Sequence, residues 1–212
     1  MPNATQSKTM IRSQQRRRSN RANASNGSTR RDEILEAAAY CFSETGYDAT
    51  TMRDIAAKKG MLAGSIYYYF PSKEALLIAV HEEAVRRIKT CVEAAIREDG
   101  DPWTKLQSAS AAYLEALSSE DRFARVVVTE FPRQRMARIR TKLIKHRDAF
   151  EDVFRTLVGN LPLADHLNRR LWRIGLLSML AWTMVWFRPG QGKTAQSLAA
   201  DLIDLLKDRT AA

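Results

Sequence analysis

Apolar residues recur every three or four positions along almost the whole chain after residue 28, a helical period. Ile34, Leu35, Ala38, Cys41 and Phe42 form one face, preceded by a capping-box spacing at Thr29 and Asp32 and ended by Gly46. Thr51 and Asp54 repeat the cap signal before Met52, Ile55 and Ala56, and Gly60 stops that short helix. Residues 63–69 predict another short helix, broken at Pro71-Ser72. Ser72 caps a long helix with Leu76, Leu77, Val80, Ala84, Ile88, Cys91, Val92, Ala95 and Ile96 inward, ending near Asp99-Gly100. Asp101-Pro102 opens a helix to about residue 117 in the favoured cap and first-turn arrangement. Further helices are predicted over 121–131, 134–158 (Met136, Ile139, Leu143, Phe150, Val153, Phe154 and Leu157 inward), 162–187 and, capped by Thr194, to about 208. That makes about nine helices and no strand. The chain reads as all-α, with a compact head of three short helices on a body of six.

Composition adds an uneven charge. The chain of 212 residues carries a formal +10. Lys8, Arg12, Arg16, Arg17, Arg18, Arg21, Arg30 and Arg31 all fall within residues 1–31, where there is no acidic residue. Residues 1–28 are polar and nearly free of large apolar side chains, so they predict a disordered basic tail. Such a tail is either a solubilising segment or an arm for a phosphate backbone. Cys41 and Cys91 read as small buried hydrophobes in a reducing cytoplasm, with no spacing suited to a metal. The N-terminus has no apolar stretch of the secretory kind. The apolar run 174–187 is shorter than the roughly 20 residues that span a bilayer, and it predicts a buried helix of a soluble, cytoplasmic protein. His81, His146 and His166 are scattered, and no phosphate loop, metal cluster or nucleophile constellation points to an enzyme.

Residues 51–70 read TMRDIAAKKGMLAGSIYYYF. Helix, glycine turn, helix is the helix-turn-helix pattern, whose second helix enters the major groove with its first residues at the base edges. Ala63, Gly64 and Ser65 are small enough for that approach. Gly64 costs up to about 1 kcal/mol in a helix relative to Ala, so close approach gives it a reason.

Residues 29–80 resemble the DNA-binding domain of the TetR family of bacterial repressors. The residues that carry the resemblance are the stretch Phe42 to Tyr47, Thr50-Thr51-Met52-Arg53-Asp54-Ile55-Ala56, Gly60, the stretch Ala63 to Phe70, and Ser72-Lys73-Glu74-Ala75-Leu76. It implies a helix-turn-helix domain over 29–74, with its motif at 51–70, and a ligand-binding and dimerisation domain over 75–212. It places Arg53, Ala63, Gly64, Ser65, Tyr67 and Tyr68 at bases or nearby backbone, and Thr51, Tyr69 and Lys73 at phosphates. Arg53 is either a bidentate guanine reader or a solvated charge on a helix face. Ile66 and Phe70 fall on the inward side of the recognition helix. Leu62 departs from the pattern, since many members carry a Ser or Thr cap there.

The resemblance also implies a homodimer through the last two helices, a palindromic double-stranded DNA operator and a small-molecule effector, with no cofactor and no membrane. Trp182 and Trp186 share one face, either as packing in the core or dimer or as a wall of the ligand pocket. The turn Trp186-Phe187-Arg188-Pro189-Gly190-Gln191-Gly192 is similar to one in acyl-CoA-responsive members, which implies an acyl-CoA thioester as effector. The basic run of Arg133, Arg135, Arg138, Arg140, Lys142, Lys145 and Arg147 is either a solvated face or a partner for CoA phosphates. A ligand-independent DNA-organising or partner-binding protein of the same fold is the alternative.

Overall fold

The computed structural model describes residues 29–119, 121–130, 137–188 and 192–207. The basic tail, Phe131, Met136, Arg133, Arg135 and residues 189–191 of the turn lie outside them. Among the described residues there are nine helices and no strand. They are α1 (29–45), α2 (Met52–Lys58), α3 (Ala63–Tyr69), α4 (Lys73–Ala95), α5 (Pro102–Ser118), α6 (Arg122–Glu130), α7 (Ala137–Gly159), α8 (Arg169–Trp186) and α9 (Ala195–Lys207).

Two apolar cores share one helix. The first joins Ile34, Ala38 and Phe42 of α1 to Ile55 of α2, Ile66 of α3 and Leu76, Leu77 and Val80 of α4. Phe123 and Val126 of α6 and Ile139 and Leu143 of α7 enter that same core from the body. The second gathers Val85, Ile88 and Val92 of α4 with α5, the later part of α7, α8 and α9. With 23 residues, α4 is about 34 Å long and carries both cores on one stripe. The first core therefore continues along α4 past residue 75.

Caps explain most boundaries. Ser72 Oγ accepts from Ala75 N, and Asp101 accepts from Trp103 N and Thr104 N ahead of Pro102. Thr194 Oγ1 accepts from Ser197 N, and Ser197 Oγ accepts from Thr194 N in return. Thr29, expected as a cap, is already helical.

Three expectations need correction. The helix expected from residue 162 begins at Arg169. Asn168 Oδ1 caps it by accepting from Leu171 N, while Arg169 Nη1 donates back to the carbonyls of Val158 and Leu161 and closes the end of α7. Leu161 and Leu163 are buried as loop residues, which imitates helical spacing. Cys91 is exposed, whereas Cys41 is buried as expected. The run 174–187 is not a buried helix: only one side of α8, with Arg173, Leu176, Leu180 and Thr183, is inside.

Candidate nucleic-acid interface

The turn between α2 and α3 is built by backbone hydrogen bonds. Gly60 N donates to Ala57 O, and Met61 N donates to Ala56 O at 2.9 Å. Gly60 has φ +61°, the left-handed conformation this reversal needs. At the other end of α2, Asp54 N donates to Thr51 Oγ1 and Thr51 N donates to Asp54 Oδ2. These Thr51 hydrogen bonds hold the Asp54 carboxyl below its usual range.

On α3 the four rings divide. Ile66 and Phe70 are buried, at 0% and 3% exposure, against α1 and α2. Tyr67 and Tyr68 stand out at 52% and 86%. Tyr69 is half-buried, with its ring edge-on to Tyr68 at 5.2 Å. Arg31 covers the Phe70 ring from outside at 5.0 Å. Leu62 is the N-cap of α3 and gives no side-chain cap. Gly64 and Ser65 are exposed and Ala63 is half-buried. A methyl group built at Gly64 would meet nothing within 4 Å, so the fold itself does not require glycine there. Arg53 is exposed on α2 and makes no ion pair among the described residues. Thr51, Arg53, Ser65, Tyr67 and Tyr68 are thus all exposed, on two helices and the cap of the first, locked into one unit.

Lys73 has a different place from the rest. Its ammonium donates to Tyr47 O at 2.7 Å, Thr50 O at 2.8 Å and Asp48 O at 3.4 Å. It also sits 4.3 Å from the Tyr47 ring centre. An ammonium has three N–H groups, so its donors are directed at carbonyls of the turn that leads into α2. Burial, with Glu74 alongside, pushes the Tyr47 phenol up to about 12. Thr50 is buried in the same turn and donates to Gly46 O. The sequence gives no sign of this use of Lys73, because its partners are backbone atoms 23 to 26 positions away.

The head meets the body through charges on rings. Tyr40 of α1 lies beneath Lys58 of α2 at 3.4 Å and Arg122 of α6 at 4.7 Å. Arg125 of α6 pairs with Glu44 of α1 at 3.3 Å. An open groove of about 350 Å³ runs along this joint, lined by Tyr40, Lys58, Lys59, Arg87, Asp121 and Arg122.

In the body, Trp182 and Trp186 are not in an interior wall. They are 66% and 53% exposed on the outer side of α8, in one stripe with Leu171, Ile174, Ser178 and Val185. Leu205 of α9 is also exposed. Three- and four-residue spacing over four turns makes a seam rather than scattered surface residues. Among the described residues no helix is long and apolar enough to cross a membrane. The basic residues Arg138, Arg140, Lys142, Lys145 and Arg147 are exposed on α7.

This arrangement matches known proteins over most of the chain. Residues 34–80 fit the family "Bacterial regulatory proteins, tetR family", and residues 99–209 fit "Tetracyclin repressor-like, C-terminal domain". The HTH-type transcriptional repressor KstR2 of Mycobacterium tuberculosis is 32% identical over 188 residues, 84% of this chain and 91% of that protein. The chain belongs to the TetR family. It is a DNA-binding transcriptional regulator of the repressor type, in a family that is not one of enzymes. Two solved structures share the fold at TM-score 0.71. One is AibR in complex with isovaleryl coenzyme A and operator DNA, 19% identical over 83% of this chain and 97% of that one. The other is FadR from Bacillus subtilis in complex with stearoyl-CoA, 24% identical over 82% of this chain and 96% of that one.

Proposed function

We propose that the protein is a homodimeric repressor that holds a palindromic operator and lets go when its body binds an acyl-CoA thioester. The division of α3 carries the DNA half of this reading. Ile66 and Phe70 fix the helix, while Tyr67, Tyr68, Ser65 and the open flank at Gly64 face away from the protein. Arg53, Ala63, Gly64, Ser65, Tyr67 and Tyr68 lie at base edges or the adjoining backbone; Thr51 and Tyr69 lie at phosphates. Lys73 acts indirectly, by fixing the turn that presents α2.

The apolar seam on α8, with Leu205 of α9, supports the dimer. Trp182, Val185 and Trp186 are large side chains, each more than half exposed in one copy. A second copy related by a two-fold axis would cover them with the same residues. Two recognition helices then read half-sites about 34–36 Å apart, one duplex turn. The effector class is supported by AibR and FadR, which share the fold and are solved with acyl-CoA thioesters. The route of release follows from the shared cores: α7 packs on α4, and α4 begins at Lys73, so movement of the body reaches the turn before α2.

The test is a gel-shift titration on an operator selected from a random duplex pool, with short-, medium- and long-chain acyl-CoAs added at saturation. Loss of the shifted band with at least one chain length is expected. An operator complex that survives every thioester would refute release by this class and return the ligand-independent alternative.

A further inference from the structure

Arg173 is an unusual residue to find inside. It projects from the inner side of α8 with 6% exposure. Its only ion pair among the described residues is a long one, Nη2 to Glu151 Oε2 at 3.5 Å. That carboxylate is shared, because Arg147 Nε takes the other oxygen at 3.0 Å. Arg173 Nε and Nη1 are buried and have no hydrogen-bond partner among the described residues. A guanidinium has five N–H groups and cannot discharge itself by losing a proton. A buried charge in this state is short of both acceptors and negative charge, and such groups in native proteins call for an explanation.

Aromatic side chains lie near the Glu151 end of this pair. Tyr113 of α5, next to the Glu151 charge, has its phenol pushed well above its usual range, chiefly by burial. Its ring packs on Phe150 at 4.9 Å and Phe154 at 6.1 Å. One turn before it, Ser110 Oγ is buried without a partner among the described residues, and so is Nε1 of Trp172, the residue preceding Arg173. Aromatic walls with a few polar groups lacking partners are how ligand sites are furnished. Helix α8 rests more lightly on α7 than α7 does on α4.

We infer that Arg173 is the anchor for an anionic end group of the effector, a carboxylate at the far end of an acyl chain. The inference rests on the acyl-thioester reading above and narrows it to dicarboxylic acyl groups. A carboxylate supplies acceptors to Nε and Nη1 and gives the guanidinium the charge that Glu151 divides with Arg147. A methyl end group supplies neither.

The test uses the full-length protein, its Arg173→Gln variant and its Arg173→Lys variant, in calorimetric titrations. The probes are glutaryl-, adipyl- and suberyl-CoA against valeryl-, hexanoyl- and octanoyl-CoA, with free glutarate and free CoA alongside. At one chain length or more the wild type is expected to prefer the carboxyl-ended probe by about tenfold or better. In Arg173→Gln the preference collapses to near unity, while the methyl-ended thioester binds within about twofold of wild type. If Arg173→Gln does not fold by circular dichroism, Arg173→Lys, which keeps the charge but loses the fork, is expected to lose most of the preference. Equal binding of both end groups in the wild type overturns the proposal, and so does a preference unchanged in whichever variant folds. Arg173-dependent binding of free CoA also overturns it, by assigning the site to phosphate. Methyl-ended thioesters that release the operator without any preference leave the acyl-CoA reading standing and remove this one. Arg173-dependent binding of glutarate, with no thioester bound, does the reverse. Binding of none of the probes removes both.

Discussion

Replacing Lys73 by Met separates two roles that the family resemblance and the structure assign to it. In the structure its ammonium is directed at three carbonyls, two of them at 2.7 and 2.8 Å. A hydrogen bond to a charged group contributes about 1.5–3 kcal/mol when well buried. Lys73 is only half-buried, and the freed carbonyls of Tyr47 and Thr50 can recover some water. The loss in unfolding free energy should therefore be about 2–3 kcal/mol. Urea unfolding followed by circular dichroism measures it. Operator affinity should also fall, because the turn that carries α2 loosens. The salt dependence distinguishes the roles. Each phosphate contact adds roughly 0.9 to the slope of log affinity against log salt, so a phosphate-gripping Lys73 would lower the slope by about 1.8 in a dimer. As a tie beneath α2, it should leave the slope unchanged. A slope reduced by about 2 with stability within about 0.5 kcal/mol of wild type would refute the structural role.

Gly64→Ala should stabilise the free protein by about 0.5–1 kcal/mol, since no atom opposes the methyl, yet weaken operator binding roughly tenfold or more; tighter binding in a filter assay would refute close approach at α3. Gly60→Ala has equally open space, so its cost is that of φ +61° alone, about 1–2 kcal/mol in urea unfolding, and a neutral result would contradict the left-handed turn. His81 lies 5.6 Å from the His146 ring, and burial, with His146 adding to it, takes its pKa down to about 4. The folded state thus binds fewer protons than the unfolded one between about pH 6.5 and 4. Stability should therefore be full above about 6.5 and fall by about 3 kcal/mol toward pH 4, a slope that His81→Phe removes. Trp182→Glu should leave each subunit folded and turn the proposed dimer into monomer in sedimentation velocity; an unchanged sedimentation coefficient would place the interface elsewhere.

Much of the fold is legible because caps and apolar faces agree locally. Thr51 with Asp54, Ser72 and Asp101 are side chains whose partners lie two or three residues away, and each one caps the helix that the pattern assigns to it. The split of GSIYYYF follows from helical spacing, which puts Ile66 and Phe70 on one side. What stays hidden depends on distant neighbours. Leu163 has helical spacing but is buried from a loop, so only the Asn168 cap marks where α8 starts. Cys91 follows the apolar register of α4, yet it is exposed. Apolarity cannot say whether Trp182 is covered by its own chain or by another. Arg173 looks like an ordinary helix charge until the fold turns it toward Glu151.

The four body residues in the first core, Phe123, Val126, Ile139 and Leu143, have a practical consequence. Chimeras that join the head of one family member to the effector body of another, cut within α4, would sever side chains that were fitted to each other. Such a graft should carry the tips of α6 and α7 along with residues 29–80, or be repacked at those four positions. Without them the recognition unit would melt ahead of its body, and a reporter built on it would fail for want of a folded head even with a suitable ligand in place.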